Sequence, residues 1–166
     1  MVDWTTVLVG LIGAGAGALP PLYLHMNGVG RERSAVRAAI LAEVTALIDL
    51  IDRRGYLSGM NFELSDEELQ SADATQEEVT YFYRVIVPAD YNLIYRENAS
   101  RLGCLKVDEA AEVVKFYQLL QSVVADVTPG GYLHEGTTDL VQIRETIAIF
   151  SAAIETGTRL IRASSN

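Results

Sequence analysis

Residues 34–51 read SAVRAAILAEVTALIDLI, and within them Val36, Ile40, Val44, Leu47, Ile48 and Ile51 return every three or four positions. That spacing sets them on one face of an α-helix, because residues three and four apart stack along the same side. Arg37, Glu43, Asp49, Asp52 and Arg53 fall elsewhere and read most simply as a solvated face. Gly55 and Gly59 then bracket the expected stop.

Downstream the same period recurs. A second helical region is expected over 79–87, broken by Pro88 and resuming from about Ala89 to Leu102 ahead of Gly103. Asp108 is the expected N-cap of a third, with Ala111, Val114, Tyr117 or Gln118, Gln121 and Val124 in line and Val113, Phe116 and Leu120 widening the stripe. Thr128 to Gly131 reads as a turn. Thr137 or Thr138 should cap a long last helix to about Arg162, with Leu140, Ile143, Ile147, Phe150, Ile154 and Ile161 inward. Four amphipathic segments with short turns and no alternating strand pattern imply an all-α fold, an antiparallel bundle of about four helices. No fixed-period repeat is present, which argues against a solenoid.

Upstream, residues 4–26 read WTTVLVGLIGAGAGALPPLYLHM, and no Asp, Glu, Lys or Arg occurs between Asp3 and Arg31. A helix needs roughly 20 such residues to cross the hydrocarbon core. Trp4 at one end and Tyr23 with His25 at the other suit the two interfaces. A cleaved signal peptide is the rival, but its positively charged n-region is missing here. The expected organisation is a transmembrane anchor with its flank over residues 1–30 and the bundle over 31–166. Arg31, Arg33 and Arg37 follow the span, so the positive-inside rule keeps the C-terminal domain in the cytoplasm, on a single-pass protein of a bacterial inner membrane.

Gly13 and Gly17 form a GxxxG pair within this span, a face on which two helices can approach closely and self-associate. The same stretch matches the dinucleotide pattern G-x-G-x-x-A from Gly13 to Ala18, but Pro20 and Pro21 fall where the phosphate-binding helix would have to run.

The chain has 166 residues and a formal charge of −9. Removing residues 1–26 costs only Asp3 and leaves 13 basic against 21 acidic side chains, a charge of −8. No basic stripe is available to displace counterions, which argues against nucleic-acid binding. Cys104, alone of its kind, excludes an internal disulfide framework and reads as a buried thiol.

The stretch Tyr91 to Tyr117, YNLIYRENASRLGCLKVDEAAEVVKFY, contains Tyr95, Asn98, Arg101-Leu102-Gly103 and a helix ending in Phe116-Tyr117. In this it resembles a group of small bacterial membrane-anchored helical proteins with no assigned activity. The resemblance covers about half the chain and implies a bacterial or phage source but no reaction.

Tyr91, Tyr95, Asn98 and Leu102 would share one face of a continuous helix, directing Asn98 to the core. There it would fix register against Tyr117 or, with Arg101 and Lys115, form a small polar pocket. Glu109 and Glu112 read as an exposed acidic turn. His25 and His134 stand near no nucleophile motif, and no Glu-x-x-His pair is present, so no catalytic residue, metal ligand or cofactor site is expected. Between Glu63 and Glu78 lie seven acidic residues and no basic one; Asp66, Glu67, Glu68, Glu77 and Glu78 mark either a solvated connector or a docking site for a basic partner.

These features imply a membrane-tethered, non-enzymatic interaction module, with the bilayer and a protein partner or a second copy as partners. A phage lysis or envelope-spanning subunit and a ligand-sensing bundle are the alternatives.

Overall fold

The computed structural model describes residues 30–62 and 80–164, and here the chain is a helical bundle. The stretch 4–26 with Gly13 and Gly17, and the acidic segment with Asp66, Glu67, Glu68, Glu77 and Glu78, lie outside the described residues. No helix among the described residues is long and apolar enough to cross a membrane.

Helix α1 covers residues 30–54, and Val36, Ile40, Val44, Ile48 and Ile51 are buried along it. Gly55, at φ 61°, ends it, because the left-handed conformation costs a residue without a Cβ nothing. Helix α2, Tyr56–Phe62, turns back from there.

The second expected helical region is not a continuous helix. Residues 80–88 are extended, and their side chains alternate between half-buried (Tyr81, Tyr83, Val85, Val87) and exposed (Phe82, Arg84, Ile86). The sequence TYFYRVIVP explains this strap: β-branched and aromatic side chains fit an extended, half-buried surface, and Pro88 blocks helix propagation. The alternation is one of burial in the fold and not of polarity in the sequence, where only Thr80 and Arg84 interrupt an apolar and aromatic run. The strap is tied down by its own backbone. Tyr81 N–H donates to Thr137 O (2.8 Å), Tyr83 N–H to Leu133 O (2.8 Å) and Val85 N–H to Val127 O (3.2 Å). Gly59 lets it lie close, since a Cβ there would stand 3.3 Å from the Tyr83 hydroxyl, which donates to Tyr56 O at 2.7 Å.

After a turn come α3, Leu93–Asn98, and a 3-10 segment, Ala99–Cys104. Helix α4 is Val107–Val127, α5 the single turn Tyr132–Glu135, and α6 Leu140–Ser164. The expected caps shift. Asp108 lies inside the first turn of α4, and Asp139 rather than Thr137 or Thr138 caps α6, its Oδ1 accepting from the N–H groups of Val141 (2.9 Å) and Gln142 (3.3 Å).

Helices α4 and α6 pack along heptad-spaced faces. Val113, Phe116, Leu120, Val123 and Val127 on α4 face Ile143, Thr146, Phe150, Ala153, Gly157 and Leu160 on α6. Small residues at 146, 153 and 157 bring the axes together: a Cβ on Gly157 would come 2.8 Å from Phe116 Cε2 and 2.9 Å from Ile48 Cδ1. The ion pairs fix direction. Arg37 meets Glu109 and Glu112 meets Arg159, so α1 runs parallel to α4 and α6 runs against both. The strap, α3 and the 3-10 segment provide the return from the end of α1 to the start of α4. The up-down order of a four-element bundle is kept, with one element that is not a continuous helix.

Candidate functional site

Two features converge beside the strap: a buried polar node and an apolar groove.

The node is built on Glu43, which is 9% exposed. Its Oε2 accepts from the Tyr117 hydroxyl at 2.7 Å and from Tyr95 N–H at 2.9 Å, and its Oε1 accepts from Ile94 N–H at 2.8 Å. Ile94 and Tyr95 lie in the first turn of α3, whose own N-cap, Asn92, makes no side-chain cap bond. Glu43 therefore caps α3 from a different helix, with its negative charge at the positive end of the short helix. Tyr95 stacks on Tyr117, with ring centroids 4.0 Å apart and planes 12° apart. Burial, then the hydrogen bond to Glu43 and the nearby carboxylate charge, push the Tyr117 phenol far above its ordinary range, so it stays neutral.

Of the expected polar group, Tyr95 and Tyr117 do come together. Asn98 does not join them. Its amide donates to Ile94 O at 2.8 Å and its carbonyl accepts from Arg101 at 3.2 Å, so it serves its own turn. The reason is that α3 begins only at Leu93 and passes into 3-10 geometry after Asn98, so the continuous-helix register does not apply. The buried amide is Asn92 instead. Arg101 pairs with Glu32 at 3.0 Å, and Lys115 is exposed with no partner among the described residues. Glu109 and Glu112 are ion-paired rather than free, and Cys104 is half-buried rather than buried. Glu43, read as part of a solvated face, is the residue that sequence reasoning missed. Its position three after Ile40 and four before Leu47 was the available signal.

The groove lies between the C-terminal half of α1, the strap and α4. It encloses a cavity of about 90 Å³ walled by Leu47, Ile51, Met60, Val85, Leu120 and Phe150, among others. At its edge Ile86 is 96% exposed, with Leu50 also exposed. Tyr91 lines it too, and its hydroxyl is buried with no hydrogen-bond partner among the described residues. Burial raises the Tyr91 phenol above its usual value, Arg96 opposes this and Glu43 adds to it. Among the described residues, no three His, Cys, Asp or Glu side chains are grouped to hold a metal ion.

A search of family models, of curated proteins and of solved structures finds no match to this chain.

Proposed function

We propose that the protein is a membrane-tethered, non-enzymatic interaction module that receives an apolar side chain of a partner protein in the groove beside the strap. The supporting observation is the nearly complete exposure of Ile86 at the rim of an otherwise apolar recess. Exposed apolar surface of this kind costs solubility unless a partner covers it. A recess of about 90 Å³ fits one aliphatic side chain and is far smaller than the roughly 300 to 1,000 Å³ of small-molecule pockets. That favours a protein partner over the ligand-sensing alternative. Residues 62 and 80, where the acidic segment leaves and returns, belong to the elements around this groove. The preferred partner then carries an apolar side chain with basic neighbours, and Asp66, Glu67, Glu68, Glu77 and Glu78 supply the complementary charge. Tethering is assigned to residues 4–26, and pairing of two copies to Gly13 and Gly17.

The test places a photo-crosslinking residue at position 86 or, as control, at exposed Glu145, in the full chain in cells. A discrete adduct at 86, absent at 145 and lost on Leu50→Glu, is the expected result. Equal labelling at both positions refutes the groove as the binding surface. The tether is checked in the same cells, where carbonate extraction of the chain would rule out a spanning helix.

A further inference from the structure

Among the described residues, every ion pair except His134–Glu135 lies at one end of the bundle, the end from which α1 starts. Arg37 is held by Glu109, Arg101 by Glu32, and Arg159 by Glu112 and Glu155. Four further cations, Arg31, Arg33, Lys106 and Arg162, belong to the same end and have no carboxylate partner among the described residues. Arg33 and Lys106 come from distant parts of the chain, yet both line one cleft, of about 650 Å³, together with Ala163 and Ser164 from the end of α6. Of the carboxylates lining that cleft, Asp108 has no cationic partner among the described residues. Seven of the protein's 13 basic side chains thus lie at this end, opposed by five carboxylates, in a chain whose overall charge is −9. The bundle is polarised, with a cationic base and an acidic remainder. Val107 stands on the base beside Lys106, 84% exposed.

We infer that this base is a docking surface for the anionic headgroups of the membrane that holds the protein. The inference rests on the reading of residues 4–26 as an anchor. Only residues 27–29 separate Met26 from Gly30, so the chain reaches at most about 14 Å from the end of the apolar stretch to the start of α1. A base held that close lies within a Debye length or two of the lipid surface, where basic side chains are attracted to anionic lipid. The acidic remainder is repelled by the same surface. Attraction at one end and repelled charge elsewhere stand the bundle upright, with α1 along the membrane normal. Val107, flanked by Lys106, is placed to enter the headgroup layer as the base settles. Upright docking also carries the groove and Ile86, beside the opposite end of α1, away from the bilayer and towards a soluble partner.

The test uses the full chain reconstituted in vesicles of phosphatidylcholine, with or without phosphatidylglycerol. Ser164→Cys in a Cys104→Ser background carries a fluorophore at the base, and lipids with a headgroup nitroxide quench it on approach. Trp4, the only tryptophan, reports insertion independently through the blue shift of its emission. The expected result is stronger quenching in the phosphatidylglycerol vesicles, lost as salt is raised. At low salt the double variant Arg33→Ala with Lys106→Ala should reduce the ratio of docked to undocked protein roughly 25-fold, about fivefold for each cation near the surface. Arg53→Ala with Arg54→Ala, at the other end of α1, should leave it unchanged. Quenching that is equal in both lipids, or insensitive to the first pair of substitutions, while Trp4 is blue-shifted, overturns headgroup docking and leaves the anchor intact. Unshifted Trp4 emission in both vesicles refutes the anchor, and the docking inference falls with it.

Discussion

Replacing Glu43 by Ala removes one carboxylate and strands three donors at once: the N–H groups of Ile94 and Tyr95 and the hydroxyl of Tyr117. A buried donor left without an acceptor costs about 1 to 3 kcal/mol, and hydrogen bonds to a charged group lie at the upper end of the usual range. Against that, the variant no longer buries a carboxylate, which recovers part of the desolvation penalty. With two backbone donors at a helix start and one phenol affected, we expect Glu43→Ala to lose about 3 kcal/mol. Glu43→Gln should lose less, about 1 to 2 kcal/mol, because the amide oxygen still accepts and its NH2 can donate to the phenolic oxygen of Tyr117. Glu43→Asp, one methylene too short to reach across from α1, should resemble Ala. Denaturation of the full chain in mild detergent, followed by circular dichroism, measures the series. A cycle with Tyr117→Phe should return a coupling of about 1 to 2 kcal/mol. Amide exchange at Ile94 and Tyr95 should quicken most. If Glu43→Ala costs no more than an ordinary surface change, within about 0.5 kcal/mol, or if the coupling vanishes, the capping account is wrong.

The raised phenol of Tyr117 favours its neutral form in the fold, so its contribution is complete below the unfolded value of 10.0 and is lost as pH rises above it. Tyr117→Phe should therefore cost about 1 kcal/mol at neutral pH yet flatten the alkaline loss of stability, read as urea midpoints on either side of pH 10.0. Glu135, whose carboxyl is lowered by the Gly130 N–H and then by His134, contributes above its usual 4.5 and loses that contribution as pH falls through its lowered folded value; Glu135→Gln should remove this small acid-side dependence from the melting curve. At Gly131 a Cβ would stand 2.1 Å from Ala125 O, and backbone cannot yield as a side chain can, so Gly131→Ala should open the turn and lower the melting temperature sharply. Gly157→Ala gains about 1 kcal/mol in helix propensity but crowds Phe116 and Ile48, and a net loss of about 1 to 2 kcal/mol is expected in the same assay.

The three long helices were legible because each carries its apolar stripe for about four turns or more, long enough for a 3.6-residue period to be distinct. Their exact inner faces were less so. On α6 the buried line passes through Thr146, Ala153 and Gly157, small or polar residues that a search for large apolar side chains passes over, while Leu140, Ile147 and Ile154 flank it half-buried. The strap failed for a related reason. Its nine residues are nearly all apolar or aromatic, so a helical and an extended period fit equally well over so short a run, and only the β-branched content and Pro88 decide between them. The polar node was half legible. Tyr95 and Tyr117 stand out as aromatics on apolar faces, but that Glu43 would meet them depends on α1 and α4 running parallel, and direction of packing is written in no single segment. Asn98 is misplaced in the sequence reading because the helix starts at Leu93, about four residues later than the expected Ala89, and gives way to 3-10 geometry after Asn98.

The strap also governs how accommodating the groove can be. One wall is the last two turns of α1, a helix whose backbone is closed on itself and whose side chains can shift only by changing rotamer. The other hangs from the body of the protein along one edge, by the amides of Tyr81, Tyr83 and Val85, the Thr137 N–H donated to Tyr81 O, the Arg84 guanidinium on His134 O and the phenol of Tyr83 on Tyr56 O. Elements held by so few bonds open locally long before a core unfolds. The recess is thus a vice with one fixed jaw and one sprung jaw: a small guest side chain meets it closed, and a larger one gains its place by prising the strap outward, at the cost of a few backbone bonds rather than of the bundle.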